Sequence, residues 1–327
     1  MKASVSRSLA YHCHMTCSDL TPLPIGLLDP ARTAARLPYA LLAEEITRLL
    51  RDNSVQVPPR LVQPLPGGGS LFVMPALDAH TAITKLITFT PANAGRGLAT
   101  IQGDVVVFDV ATGQRKLVLD GPTVTARRTA AVSLLAARRL APCTLGPLLI
   151  VGAGVQGKAH LEAFARGLAI KEVLIASRSA ASALLLAQHA QALGLKARVV
   201  QDANAALADC PLAVTCTPAR GVVLSTLPRS DAFIAAVGAF TPQMMELSPQ
   251  LCRHIASQGT VVVDTLDAVH EAGDLLQAGL DVTRFASLAN VIRDEAFPVT
   301  GPVLFKSCGW AGWDLAAART ALACADL

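Results

Sequence analysis

PLLIVGAGVQGKAHLEAFARGLAIKEVLIASR, Pro147 to Arg178, decides how the rest of the chain is read. It opens with Leu148-Leu149-Ile150-Val151, an apolar run with the length and branching of a buried parallel strand. Gly152-Ala153-Gly154-Val155-Gln156-Gly157 follows as a G-x-G-x-x-G turn, and KAHLEAFARGLA carries a helical period. A second apolar strand, Val173-Leu174-Ile175-Ala176, ends at Ser177-Arg178. In this strand–turn–helix–strand setting the glycine pattern signifies a bound dinucleotide. Gly152, Gly154 and Gly157 let the backbone turn and approach a pyrophosphate, with Val155 and Gln156 opening the helix whose N-terminus faces its charge.

The end of the second strand speaks to the kind of dinucleotide. A site for NAD usually has an acid about 20 residues on, holding the ribose 2′-hydroxyl. Here Ser177-Arg178-Ser179 offers a guanidinium and two hydroxyls, which suit a 2′-phosphate. The expectation is NADPH, with NADH the less favoured partner.

With 52% hydrophobic and 16% charged residues over 327 positions, the chain can bury two cores. No apolar run reaches the roughly 18 residues of a membrane span, and no membrane partner is expected. His12, Cys13, His14 and Asp19 interrupt the N-terminal segment, which does not read as a signal peptide. The scattered basic residues and net charge of +4 argue against nucleic acid. The eight cysteines lack framework spacing and several sit in apolar segments, as reduced core thiols do, so the expected compartment is the cytoplasm. His12-Cys13-His14 with Cys17 has no second cluster at ligand spacing, so no metal site is expected.

Residues 1–24 read as an extension. IGLL from Ile25 reads as a strand, Asp29-Pro30 as a helix start, and residues 41–50 as an amphipathic helix. LVQPL, SLFVMPAL, AITKLITF, TIQGDVVVFDV and KLVLDG then read as an antiparallel sheet, punctuated by glycine turns. After Gly121-Pro122 a long helix bridges to alternating strands and helices, which imply a doubly wound parallel sheet. The last segment, LFKSCGWAGWDLAAARTALACA, reads as a helix that buries Trp310 and Trp313 against the N-terminal domain. The fold expected is α/β: a Rossmann doubly wound sheet at 145–304, plus an N-terminal α+β domain at 25–121 with 305–327. Residues 122–144 form the bridge.

A reductase using a nicotinamide needs a substrate anchor and a proton source besides its hydride donor. Arg60, held after Pro58-Pro59, suits a carboxylate clamp, and an exposed arginine fits the same pattern. Lys85 within AITKLITF is either a desolvated lysine of lowered pKa in a cleft or an edge-strand lysine in water. Arg127-Arg128-Thr129 follows Thr123 and Thr125, candidate caps, so helix N–H groups and a guanidinium converge on one anion. One of the two arginines faces away, since adjacent helical residues point about 100° apart. Thr217-Pro218 ends a strand at the carboxyl edge, where open α/β sheets bind ligands.

The chain resembles the ornithine cyclodeaminase/mu-crystallin family from about residue 25 onward. The resemblance rests on Thr125 to Ala131, Val151 to Gly157 and Phe305 to Gly309 with Asp314, and on Thr112-Gly113 and Glu271 to Asp274. It implies a homodimer built through the N-terminal sheet. It also implies that Arg60, Lys85, Arg128 and Glu271 face the substrate, and that Lys306 lies beside the nicotinamide. Arg128 rather than Arg127 becomes the functional arginine, against substrate carboxylate or cofactor. One departure matters: cyclodeaminases carry an aspartate shortly after a strand-ending Val-Gly, and here Phe240 follows Val237-Gly238-Ala239. A phenyl ring accepts no proton. The resemblance therefore points to the family's ketimine reductases, which reduce Δ1-pyrroline-2-carboxylate and Δ1-piperideine-2-carboxylate. Alanine dehydrogenase, cyclodeaminase and a non-enzymatic NADP-dependent binding protein are the alternatives.

Overall fold

The computed structural model describes residues 26–218 and 221–324. The 1–24 extension, Ile25 and the His12-Cys13-His14-Cys17 group lie outside the described residues. The first domain comprises β1 (Gly26–Leu28), α1 (Pro30–Ala35), α2 (Tyr39–Arg51), β2 (Leu61–Leu65), β3 (Gly69–Leu77), β4 (Thr81–Phe89), β5 (Ile101–Asp109) and β6 (Arg115–Asp120). Its six-stranded sheet runs β1-β6-β5-β4-β3-β2, antiparallel except for β1 beside β6. Period-2 alternation decides its faces. Ile83, Lys85 and Ile87 of β4 point into the core, whereas Leu86 is exposed.

Asp120 caps α3 (Gly121–Leu140), accepting from the Thr123 N–H, so Thr123 and Thr125 are not the caps expected from sequence. Arg128 sits about two turns in, too far along for the helix N-terminal N–H groups to join it on one anion. This helix packs on α2 and on β5.

The second domain follows with β7 (Leu148–Val151), α4 (Val155–Gly167), β8 (Glu172–Ala176), α5 (Ala180–Ala192), β9 (Lys196–Val200), α6 (Ala203–Leu207), β10 (Leu212–Thr215) and β11 (Phe233–Ala236). It continues with α7 (Pro249–Gln258), β12 (Thr260–Val263), α8 (Gly273–Gln277), β13 (Ala286–Ser287), α9 (Leu288–Arg293) and β14 (Val303–Lys306). The strands form one parallel sheet, β13-β12-β14-β11-β10-β7-β8-β9. Strands β7, β10, β11 and β14 are buried at every residue, as strands covered on both faces must be. Strand order reverses between β7 and β10, the switch point at which such sheets open a cleft.

The last segment differs from its expectation. Val303–Lys306 is a strand between β11 and β12, and the helix, α10 (Ala311–Ala323), begins only after Gly309-Trp310. The chain therefore leaves the parallel sheet after Lys306 and not at 304. A short, wholly apolar run cannot be told from buried helix by periodicity, and the alanine-rich sequence beyond it favours helix. Helix α10 packs against α2, α3, β3 and β4 of the first domain, burying Trp313 fully and Trp310 partly.

Candidate active site between the domains

At the floor of the interdomain space lies a cluster of three buried charges. Lys85 is 1% exposed, and its Nζ donates to Asp314 Oδ2 at 2.6 Å. The other oxygen of Asp314 faces Arg128 Nε at 3.3 Å. Strand β4 is central in its sheet, so the edge-strand reading of Lys85 is overturned. Burial is the strongest influence on the ammonium and lowers its pKa. Asp314 raises it again and Arg128 lowers it, leaving Lys85 at about 8 instead of 10.5. Two cations share one carboxylate, so the cluster holds an excess positive charge that favours release of a proton. Neither terminal nitrogen of Arg128 has a hydrogen bond among the described residues, which leaves donors for an anion.

Above this floor a cavity of about 360 Å³ opens between Pro58, Pro59, Arg60 and Met74 on one side and Glu271, Gly309 and Trp310 on the other. Met74 lines it and pairs directly across the sheet with Lys85, which puts both side chains on one face. Gly309 lines it too, and at φ 90° its α-carbon lies against the Arg128 guanidinium. A β-carbon there would stand 3.3 Å from both terminal nitrogens. Arg60 reaches into the cavity from its Pro-Pro segment and contacts the Glu271 carboxylate. Burial pushes Glu271 above the usual carboxylate range, and Arg60 opposes that only in part. Arg60 and Glu271 thus line the space, whereas Lys85 and Arg128 lie buried behind Met74 and Gly309.

The glycine turn lies at the switch point. Gly157 meets the backbone so closely that a β-carbon would fall 2.0 Å from Gly152 O. Helix α4 starts at Gly154 with no side-chain cap, whereas Ser179, Asp202 and Ser248 cap α5, α6 and α7. Its first N–H groups are therefore unspent, and Gln156 Oε1 is buried without a partner. Gly154 faces open space and Val155 is exposed. These residues fit a pyrophosphate. Ser177, Arg178 and Ser179 follow β8 at the same sheet edge, and Arg178 has no ion pair among the described residues. A second cavity, about 450 Å³, adjoins Gly154 and Val155 between α4 and α5, and Lys158 and Ser182 line it.

Three further expected residues have the following surroundings. Lys306 does not open on the cleft: it is fully buried, ion-paired with Asp274 at 2.9 Å and bonded to the carbonyls of Ala236 and Ala239. Its ammonium is thus held inside the domain by one carboxylate and two carbonyls. Thr217 does lie past the end of β10, but its N–H and hydroxyl both donate to Glu246. Only its outer surface is left for a ligand. Arg127 faces away from the cavity, though not into water. It lies over the Tyr39 ring at 4.0 Å, donates to Leu37 O, and pairs with Glu162 at 3.5 Å, joining α3 to α2 and α4.

Sequence reasoning missed two buried acids. Glu246 accepts from Thr217, Gly238 and Ala239, and Asp264 accepts from Ser307, Cys308 and Gly309. Each is an acid near a short apolar stretch, a signal too common to single out. Lys158 was hidden similarly, as one polar residue on a helix.

A Rossmann sheet with an uncapped glycine turn, joined to an α+β domain across a cavity lined by paired charges, defines a two-domain dinucleotide-binding protein. The chain belongs to the ornithine cyclodeaminase/mu-crystallin family, whose sequence profile matches residues 33–322. It is 40% identical to Δ1-pyrroline-2-carboxylate reductase 2 of Burkholderia ambifaria over 302 residues, covering 91% of this chain and 95% of that one. It is 39% identical to the Δ1-pyrroline-2-carboxylate/Δ1-piperideine-2-carboxylate reductase of Azospirillum brasilense, covering 92% and 96%. Identity to ketimine reductase mu-crystallin of Mus musculus is 34%, covering 87% and 96%. Among solved structures, Thermococcus litoralis Δ1-pyrroline-2-carboxylate reductase in complex with NADH and L-proline superposes with a TM-score of 0.83 at 24% identity, covering 91% and 96%. At that identity the superposition speaks for the fold. Among the described residues no helix is long and apolar enough to cross a membrane.

Proposed function

We propose that this chain is a reductase of cyclic ketimines, converting Δ1-pyrroline-2-carboxylate to L-proline and Δ1-piperideine-2-carboxylate to L-pipecolate with a reduced nicotinamide dinucleotide. The observation that carries the reading is the Lys85–Asp314–Arg128 cluster beneath a cavity that presents Arg60. It combines an acid of near-neutral pKa with a carboxylate anchor, and the relatives named as ketimine reductases agree with it.

Reduced nicotinamide, when bound, supplies the hydride that reaches C2 of the imine. The chain's own residues do the rest. The substrate carboxylate takes the place of Glu271 on Arg60, whose planar fork suits it. Lys85 gives its proton to the ring nitrogen, making an iminium with an electron-poor C2. The neutral amine left behind does not oppose the iminium charge, and Arg128 keeps Asp314 compensated. Phe240, 36% exposed beyond β11, offers no acid to activate water or an amine, which favours reduction over cyclodeamination.

The cofactor reading is NADPH over NADH. Arg178 with Ser177 and Ser179 receives the 2′-phosphate, and Lys158 adds a second cation beside the glycine turn. Glycines 152, 154 and 157, with Val155 and Gln156, would hold the pyrophosphate, and Arg128 would meet substrate carboxylate or cofactor. The assembly reading is a homodimer through the outer face of the six-stranded sheet. Leu61, Val73 and Leu86 lie side by side there, with Val106 and Phe108 beyond, and Leu61 and Leu86 are exposed. The compartment reading is the cytoplasm, where buried thiols such as Cys210 and Cys252 stay reduced.

The test is NADPH oxidation with pyrroline-2-carboxylate, piperideine-2-carboxylate and pyruvate plus ammonia side by side. Turnover with the cyclic imines is expected, and no oxidation with either one defeats the proposal.

A further inference from the structure

We infer that Asp264 is a positioning residue for the substrate pocket, acting on Arg128 through the loop that joins the two domains. Asp264 follows β12 and is 1% exposed. Its Oδ2 accepts three hydrogen bonds from one short segment: Ser307 Oγ at 2.8 Å, Cys308 N at 3.0 Å and Gly309 N at 2.8 Å. Oδ1 accepts from Thr265 N at 2.9 Å, and the Asp264 N–H donates to Lys306 O. Four donors converge on one buried side chain, an arrangement only a carboxylate satisfies.

The two segments so joined build one wall of the cavity. Residues 264–271 carry Glu271 to Arg60, and residues 307–311 carry Gly309 and Trp310. Gly309, held at φ 90°, covers the Arg128 guanidinium, and Trp310 lies across Gly312 at the start of α10. Asp314, the counterion of Lys85, is in the first turn of the same helix. Asp264 is not among the residues that line the cavity. It fixes the loop that places Arg128 and the Glu271 wall relative to each other.

The inference leans on the ketimine-reductase reading only through the substrate used to measure it. Asp264→Asn keeps the shape and turns one acceptor into a donor, either against Thr265 N–H or against the three loop donors. The expected result is a rise of about tenfold or more in KM for pyrroline-2-carboxylate, the scale of a lost charge-assisted hydrogen bond. The NADPH dissociation constant changes less than that KM, because the glycine turn and Arg178 lie across the switch point and only Arg128 is shared between the two ligands. Trp310 and Trp313 are the chain's two tryptophans and pack edge to face at 4.9 Å. Intrinsic tryptophan emission therefore reads the loop directly, and in Asp264→Asn it shifts to longer wavelength. Should that variant fail to fold, Ser307→Ala removes one donor, leaves both backbone bonds, and gives a smaller KM rise with the same emission shift. Wild-type KM and emission in the folded variant overturn the inference. So does parallel loss of NADPH affinity and melting temperature, which signals general damage. If the wild type itself reduces no cyclic imine, the functional reading fails, and the tryptophan emission of the variant still decides the loop role.

Discussion

If Lys85 donates the proton, the pH profile of the reaction is set by one buried pair. With a pKa of about 8, Lys85 is charged in about nine-tenths of molecules at pH 7 and about one-tenth at pH 9. The imine-reducing rate, measured as kcat by NADPH oxidation at saturating imine, then falls about tenfold per pH unit above 8. An ordinary lysine would place that limb beyond pH 10. The neighbours fix the direction in which it moves. Asp314 raises the Lys85 pKa, so Asp314→Asn shifts the limb toward acid. Lys85→Met removes the donor and leaves Asp314 paired with Arg128. That variant loses about 10²- to 10⁴-fold in kcat, the range for a general acid, and its limb disappears. The same depression bears on stability. Between about pH 8 and 10.5 the unfolded chain binds the Lys85 proton and the folded chain does not, so this group's contribution to stability rises with pH across that window. Full turnover by Lys85→Met with an unchanged profile refutes the donor role.

Other consequences are open to direct measurement. Arg60→Ala raises the imino-acid KM about 10- to 100-fold while NADPH affinity holds, as expected for losing a charged anchor; equal loss of both contradicts the anchor role. Glu271→Gln removes the competing carboxylate and lowers that KM about two- to fivefold, read from the same initial rates. Arg178→Ala weakens NADPH about 10- to 100-fold and leaves NADH within about twofold, measured by nucleotide fluorescence; parallel changes rule out a 2′-phosphate contact. Leu86→Glu on the outer sheet face yields monomers by light scattering, and a persistent dimer relocates the interface.

What sequence made visible followed from local rules. The glycine turn was readable because Gly157 has no space for a side chain, and the hairpins because their turns and alternation are short-range. Lys85 shares its face with Ile83 and Ile87, but the local pattern left a cleft lysine and an edge-strand lysine equally open, because strand order is not local. Pairings across the fold were not readable. Lys85 meets Asp314 over 229 residues, and Lys306 meets Asp274 from a different element, so neither leaves a local trace. Helical geometry requires that one of Arg127 and Arg128 face away, but it neither says which nor discloses Tyr39, the partner that keeps Arg127 out of water. The terminal strand was obscured for another reason. Four buried residues followed by an alanine-rich tract satisfy strand and helix alike.

Helix α10 also governs when the protein becomes itself during synthesis. Lys85 emerges from the ribosome 229 residues before its counterion. Arg319, which ties Glu45, Asp52 and Asp78 together, arrives later still. Until then the first domain has an unneutralised lysine on its inner face and an uncovered apolar sheet. Such long-range closure makes folding slow and gives the nascent chain an exposed, aggregation-prone interval. A chain stopped before α10 would therefore lack more than one helix: it would have no charge balance at the centre of its first domain.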